Sequence, residues 1–137
     1  DAAFIANVGD SRTYVWGQQG LDQVTTDHSL VASLIASGSA EPEEIYTHPQ
    51  RSAIYRSLGD KASVDVDVFT RQLAPGNLLV LCCDGLWEMI RNEGLEDLLL
   101  QGLPPQATCD EGVNRANMAG GEDNITVVLV RVEERHG

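Results

Sequence analysis

The segment Leu78-Leu79-Val80-Leu81-Cys82-Cys83 is apolar at every position and stops at Asp84-Gly85. A run of that length fits a strand, and a strand apolar on both faces belongs inside a sheet, with neighbours on either side and cover above and below. It is also the longest apolar run in the 137 residues, so the sequence predicts no membrane helix, which would need about 18–20 apolar residues. Whatever the chain folds into must be built around this strand. Asp84 ends it with a carboxylate, which must either face water or meet a cation.

Candidate neighbours are easily found. Ala3 to Val8 and Thr13 to Trp16 read as strands on either side of Gly9-Asp10-Ser11-Arg12, with a further turn at Gly17-Gln18-Gln19-Gly20 and a third strand over Leu21 to Thr25. This order predicts an antiparallel meander. Asp27 or Ser29 can cap a helix whose apolar face is Leu30, Val31, Leu34 and Ile35 and which Gly38 ends. Pro42 suits the first position of a short second helix closed by His48-Pro49, and Arg51 to Leu58 fits helix or strand equally. Val64, Val66 and Val68 alternate with Asp65 and Asp67, which predicts a strand with one wet face. Leu86 to Leu100 reads as a helix interrupted near Asn92 to Gly94, and Gln106 to Ala119 as a weaker helix ended by Gly120-Gly121. Asn124 to Val132, rich in β-branched residues, closes the chain as a strand. The order predicts the α+β class, antiparallel sheets flanked by helices.

Charge narrows the function. Asp and Glu total 21 against 9 Lys and Arg, a net charge of −12, and the single lysine is Lys61. Duplex nucleic acid is disfavoured as a partner, whereas an acidic chain can gather carboxylates around divalent cations. Cys82, Cys83 and Cys109 are odd in number with no CxxC spacing, which argues against a disulfide framework or a structural zinc site and fits a reducing, cytoplasmic setting. No Walker or dinucleotide glycine loop is present.

Two aspartates stand out by position. Asp84 ends the apolar strand, and Gly85 beside it leaves room for close approach; Asp123 precedes the last strand behind Gly120-Gly121-Glu122. Hard oxygen ligands suit Mg²⁺ or Mn²⁺. From spacing alone, ordinary turn chemistry is the better reading of Asp-Gly and Asp-Asn, and a hairpin turn the better reading of Asp10. His28 and His48 read as cap or surface residues, and His136 as part of a solvated tail.

Four blocks occur in order: Ala6-Asn7-Val8-Gly9-Asp10-Ser11-Arg12, Thr26-Asp27-His28-Ser29, Cys83-Asp84-Gly85-Leu86-Trp87-Glu88, and Gly120-Gly121-Glu122-Asp123-Asn124-Ile125-Thr126-Val127-Val128. Together they resemble the metal-dependent serine/threonine protein phosphatases of type 2C, the PPM family, over nearly the whole chain. The stretch from His48-Pro49-Gln50-Arg51-Ser52 to Leu58-Gly59 resembles the bacterial branch. The resemblance implies an antiparallel β-sandwich flanked by helices and two Mn²⁺ or Mg²⁺ ions with a bridging water that attacks the phosphoryl group. It implies Asp84 and Asp123 as metal ligands, Asp10 as ligand to a possible third ion, and a flap over about 30–58 that carries His48 and Arg51. The family's Asp-Gly-x-Gly aspartate, which bridges both metals, and its phosphate-gripping arginine are not found in these 137 residues, and Cys83 stands where serine is common. The expectation is therefore the C-terminal portion of one phosphatase catalytic domain, an incomplete sandwich, inactive alone and open to self-association through unpaired strands. Its substrate would be a phosphorylated protein. The alternative is a non-catalytic, phosphatase-like binding or regulatory module.

Overall fold

A computed structural model describes residues 1–135; His136 lies outside them. Six strands and four helices run β1 (Ala2–Asn7), β2 (Arg12–Gly17), β3 (Gly20–Gln23), α1 (Leu30–Ala36), α2 (Glu44–Thr47), β4 (Asp67–Gln72), β5 (Leu78–Cys82), α3 (Asp84–Leu100), α4 (Pro105–Met118) and β6 (Val127–Arg131). They form a four-stranded sheet, β3-β2-β5-β6, and a two-stranded sheet, β1-β4, with all pairings antiparallel. The α+β expectation holds, with β5 inside the larger sheet.

The core lies between the larger sheet and the helix pair α3 and α4. Tyr14, Val80 and Cys82 point from the sheet at Leu86, Trp87, Leu95, Leu98, Leu99 and Ala116. The other face of the sheet is barer: Leu81, Val128 and Val130 are exposed. The run Leu78 to Cys82 is thus apolar on both faces but buried fully on one, and its Leu81 departs from the expectation of double burial.

Three other expectations are corrected. β1 and β2 do not form a hairpin: β1 pairs with β4, so Gly9-Asp10-Ser11 is a crossing between sheets. Gly9 makes that crossing at φ 105°, which a side chain would resist. The valine-aspartate alternation is not itself the strand. β4 starts at Asp67, and Asp67, Phe69 and Arg71 are half-buried while Val68 and Thr70 are exposed. Its phase is set by Asp67, which is claimed by buried His28 and by Arg56. The second helix is a single turn starting at Glu44, two residues after Pro42, and the break in α3 falls on Arg91 (φ 58°, ψ 178°) rather than in Asn92 to Gly94.

Ser29 caps α1, its hydroxyl accepting the Ala32 N–H at 3.2 Å. The segment from Leu30 leaves and returns at one stem: Leu30 N–H donates to Ala53 O (2.9 Å), Tyr55 N–H donates to His28 O (3.0 Å), and Ser29 bridges Ile54. This stem settles Arg51 to Leu58 as mostly irregular, neither helix nor strand.

Candidate metal centre

Register explains why the three aspartates lie at the same end of the sheet. Arg12 at the start of β2 pairs with Cys82 at the end of β5, and Cys82 pairs with Val127 at the start of β6. Asp10 lies just before β2, Asp84 just after β5, and Asp123 in the loop entering β6. All three therefore belong to the same edge of one sheet. The approach is close enough that a Cβ on Gly85 would collide with the Asn124 carbonyl.

Cys83 joins two of these segments. Its thiol donates to Asn124 O (3.3 Å) and accepts the Thr126 N–H (3.2 Å), and its own N–H donates to Thr126 O (3.3 Å). The sulfur thus does the work of a small hydrogen-bonding side chain between Asp84 and Asp123. Asp123 is exposed, with one carboxylate oxygen accepting the N–H of Asn124 at 2.7 Å.

The crossing that carries Asp10 is held by the Thr26-Asp27-His28-Ser29 block. Arg12 donates to both Asp27 oxygens (2.9 and 2.6 Å) and to Tyr14 Oη (2.9 Å), all buried, and its guanidinium lies 3.6 Å over the Trp87 ring. The Trp87 indole N–H donates to Asp10 O at 2.9 Å. Gly9 N–H donates to His28 Nδ1 at 3.0 Å, and His28 Nε2 meets Asp67 at 2.6 Å. A ring nitrogen that accepts carries no proton, so in the neutral ring Nε2 bears the proton and points it at Asp67, with Arg56 Nη1 3.1 Å from the same nitrogen. With 1% exposure, His28 is a core residue rather than the cap or surface residue its sequence position suggested.

The carboxylates raise one another's pKa. Burial and the nearby charge of Asp84 push Asp10 from 3.8 to about 6. Burial and Asp123 raise Asp84. Burial, then Asp84, push Glu88 from 4.5 to about 7 against the opposing pull of Arg51. Groups that repel as anions are favoured by a cation placed among them. Their hard oxygens fit Mg²⁺ or Mn²⁺. Among the described residues, however, no three His, Cys, Asp or Glu side chains converge closely enough to hold an ion on their own. The aspartates fit part of a coordination shell.

From the segment following α2, Arg51 reaches Glu122 at 4.0 Å and donates to His48 O at 3.3 Å, while His48 Nδ1 accepts the Gln50 N–H at 3.0 Å. Arg51 thus stands beside the acidic edge, and His48 serves its own turn. Sequence reasoning passed over Glu88, Arg12, Asp27 and His28 as working parts. Glu88 had a signal, since it follows Asp84 by one helical turn on α3.

The fold is shared with known proteins. The family profile described as Stage II sporulation protein E (SpoIIE) matches residues 31–133, most of the chain, and the chain belongs to that family. Its relatives place it in the type 2C, or PPM, class of serine/threonine phosphatases, in the bacterial branch. The serine/threonine phosphatase stp of Listeria welshimeri is 41% identical over 126 residues, 92% of this chain and 50% of that protein. The crystal structure of serine/threonine phosphatase Stp1 from Staphylococcus aureus superposes with a TM-score of 0.92 at 34% identity, over 97% of this chain and 52% of that one. The catalytic domain of serine threonine protein phosphatase PstP, in complex with two manganese ions, superposes at 0.81 with 27% identity, over 98% of this chain and 55% of that one. The chain spans about half the length of the relatives it matches.

Proposed function

We propose that this chain supplies the aspartate edge of a phosphoprotein phosphatase that hydrolyses phosphoserine and phosphothreonine. The observation that carries the proposal is the placement of Asp10, Asp84 and Asp123 at the same end of the neighbouring strands β2, β5 and β6, where burial and like charge raise both Asp10 and Asp84. Asp84 and Asp123 hold Mn²⁺ or Mg²⁺ in this reading, and Asp10 serves a third ion. Bound there, the metal would lower the pKa of water and offset charge on the transferring phosphoryl group. The protein's own part is placement. The β2-β5-β6 register and Cys83 fix the two main aspartates, and Arg12 with Asp27 fixes the base of the Asp10 crossing. Arg51 sets a positive charge at the rim, where a phosphorylated protein segment would arrive. No helix among the described residues is long and apolar enough to cross a membrane. A cytoplasmic setting goes with this reading, as does self-association through the exposed Leu81, Val128 and Val130 face.

The test is Mn²⁺-dependent hydrolysis of a phosphothreonine peptide by the full-length protein that carries this chain, with Asp84→Asn alongside. Activity lost in the variant supports the assignment; an inert wild-type protein overturns it. The alternative is a phosphatase-like module without turnover. An inert protein that still binds phosphopeptide would establish that reading.

A further inference from the structure

His28 is an ionisable side chain with 1% exposure outside the acidic edge, and it joins three segments that are distant in sequence. Its Nδ1 accepts the Gly9 N–H at 3.0 Å, while its own N–H donates to Gly9 O at 3.0 Å, so residue and ring clamp Gly9 from both sides. Its carbonyl accepts the Tyr55 N–H at the stem where the flap returns. Its Nε2 meets Asp67 at 2.6 Å, and Asp67 in turn accepts from Arg56 at 2.9 Å, one residue beyond Tyr55. The ring also packs against Tyr55, with centroids 5.8 Å apart. Gly9 immediately precedes Asp10 and takes a φ of 105°, a backbone state that needs external support to stay unique.

We propose that His28 is a positioning residue, which fixes the Gly9–Ser11 crossing, and with it the Asp10 carboxylate, to the stem of the flap. Only an imidazole offers an acceptor to Gly9 on one edge and a donor to Asp67 on the other at this spacing. A shift of the stem is carried to Asp10 through two hydrogen bonds and no flexible side chain. The proposal deepens the phosphatase reading and rests on it for the consequence at the metal.

Two substitutions separate the arms. His28→Asn keeps an acceptor near the position of Nδ1; His28→Gln keeps a donor near the position of Nε2. Amide exchange, read residue by residue by NMR on this chain, should be about tenfold faster at Gly9 and Asp10 in His28→Gln, with Val80 in the core unchanged. His28→Asn should restore protection at Gly9 while Tyr55 loses it. Equal effects of the two variants, or faster exchange at Val80 as well, would show a core residue and overturn the proposal. If His28→Gln does not fold, Asp67→Ala at the half-exposed end of the chain of bonds should speed exchange at Gly9 by about threefold; no change there overturns the link to the stem. The second readout is titration with Mn²⁺ alone. His28→Gln should weaken binding as much as Asp10→Ala does and add nothing to it in the double variant. Additive losses overturn the proposal. A full-length protein that takes up no Mn²⁺ overturns the metal reading instead, and the exchange measurements then decide on His28 by themselves.

Discussion

Among single residues, those that shape the site outnumber those that would touch a ligand. Asp84→Asn and Asp123→Asn are each expected to reduce Mn²⁺-dependent turnover in the full-length protein about a hundredfold or more, since each removes a proposed ligand. Asp10→Ala should cost less, and steady-state kinetics across a Mn²⁺ series would show the difference as a shift in metal requirement. Gly85→Ala places a methyl against the Asn124 carbonyl. The overlap cannot be relieved without parting Asp84 from Asp123, so a loss of about 2–3 kcal/mol in urea unfolding is expected. Breaking the buried Arg12–Asp27 pair by Asp27→Ala should cost about 3–5 kcal/mol, because the guanidinium stays behind without its partner. Asp84 and Asp123 stood out in the sequence as Asp-Gly and Asp-Asn pairs at strand ends, whereas Asp10, in Gly9-Asp10-Ser11-Arg12, was singled out only by the family resemblance. His28 was not, because its burial depends on a strand that starts 39 residues later.

At the level of elements, α3 is where packing overrides local preference. Arg91 takes a conformation normally reserved for glycine, and its guanidinium sits 4.6 Å from the Tyr46 ring on α2. Tyr46 in turn meets Trp87 edge-on at 6.4 Å. The kink thus turns a cation onto the short helix α2, and that stacking offsets the strain. Arg91→Gly removes both strain and stacking, so global stability should change by less than about 1 kcal/mol. Protease cleavage within residues 41–52 should nevertheless speed up, and a resistant flap would show that Arg91 does not hold it. Sequence periodicity found α3 and its break to within a residue. It could not find the cause, since Tyr46 is remote in sequence and nothing in the helix itself demands a kink. β4 shows the same limit: alternation predicted a strand, but the phase was decided by Asp67 binding His28 and Arg56.

The whole molecule carries a net charge of −12, and its acidic edge concentrates that burden. Asp10 and Glu88 bind protons more tightly folded, at about 6 and about 7, than at their ordinary 3.8 and 4.5. The folded state therefore holds more protons between those limits, and stability must fall as pH rises from about 4 to 7. In the absence of metal, thermal midpoints should be higher at pH 5 than at pH 8. Millimolar Mn²⁺ should raise the midpoint at pH 8 and reduce the difference. A metal-free midpoint that climbs from pH 5 to pH 8 would contradict the carboxylate cluster. The exposed Leu81, Val128 and Val130 face should also make the 137-residue chain self-associate with concentration, and sedimentation velocity checks this directly.

Sequence by itself determined the elements and the class. The double-sided apolar run could only be an inner strand, the glycines and Ser29 marked ends and turns, and the four ordered blocks tied the chain to its family. Those are local properties, set by backbone preference and by the spacing of apolar residues. Tertiary structure alone decided that β1 leaves β2 for β4, that Val68 faces out, and that His28 is buried against Gly9. Each of these depends on hydrogen bonds between residues far apart in sequence. Such bonds form only when a polar group loses water and must find a partner wherever the fold has brought one.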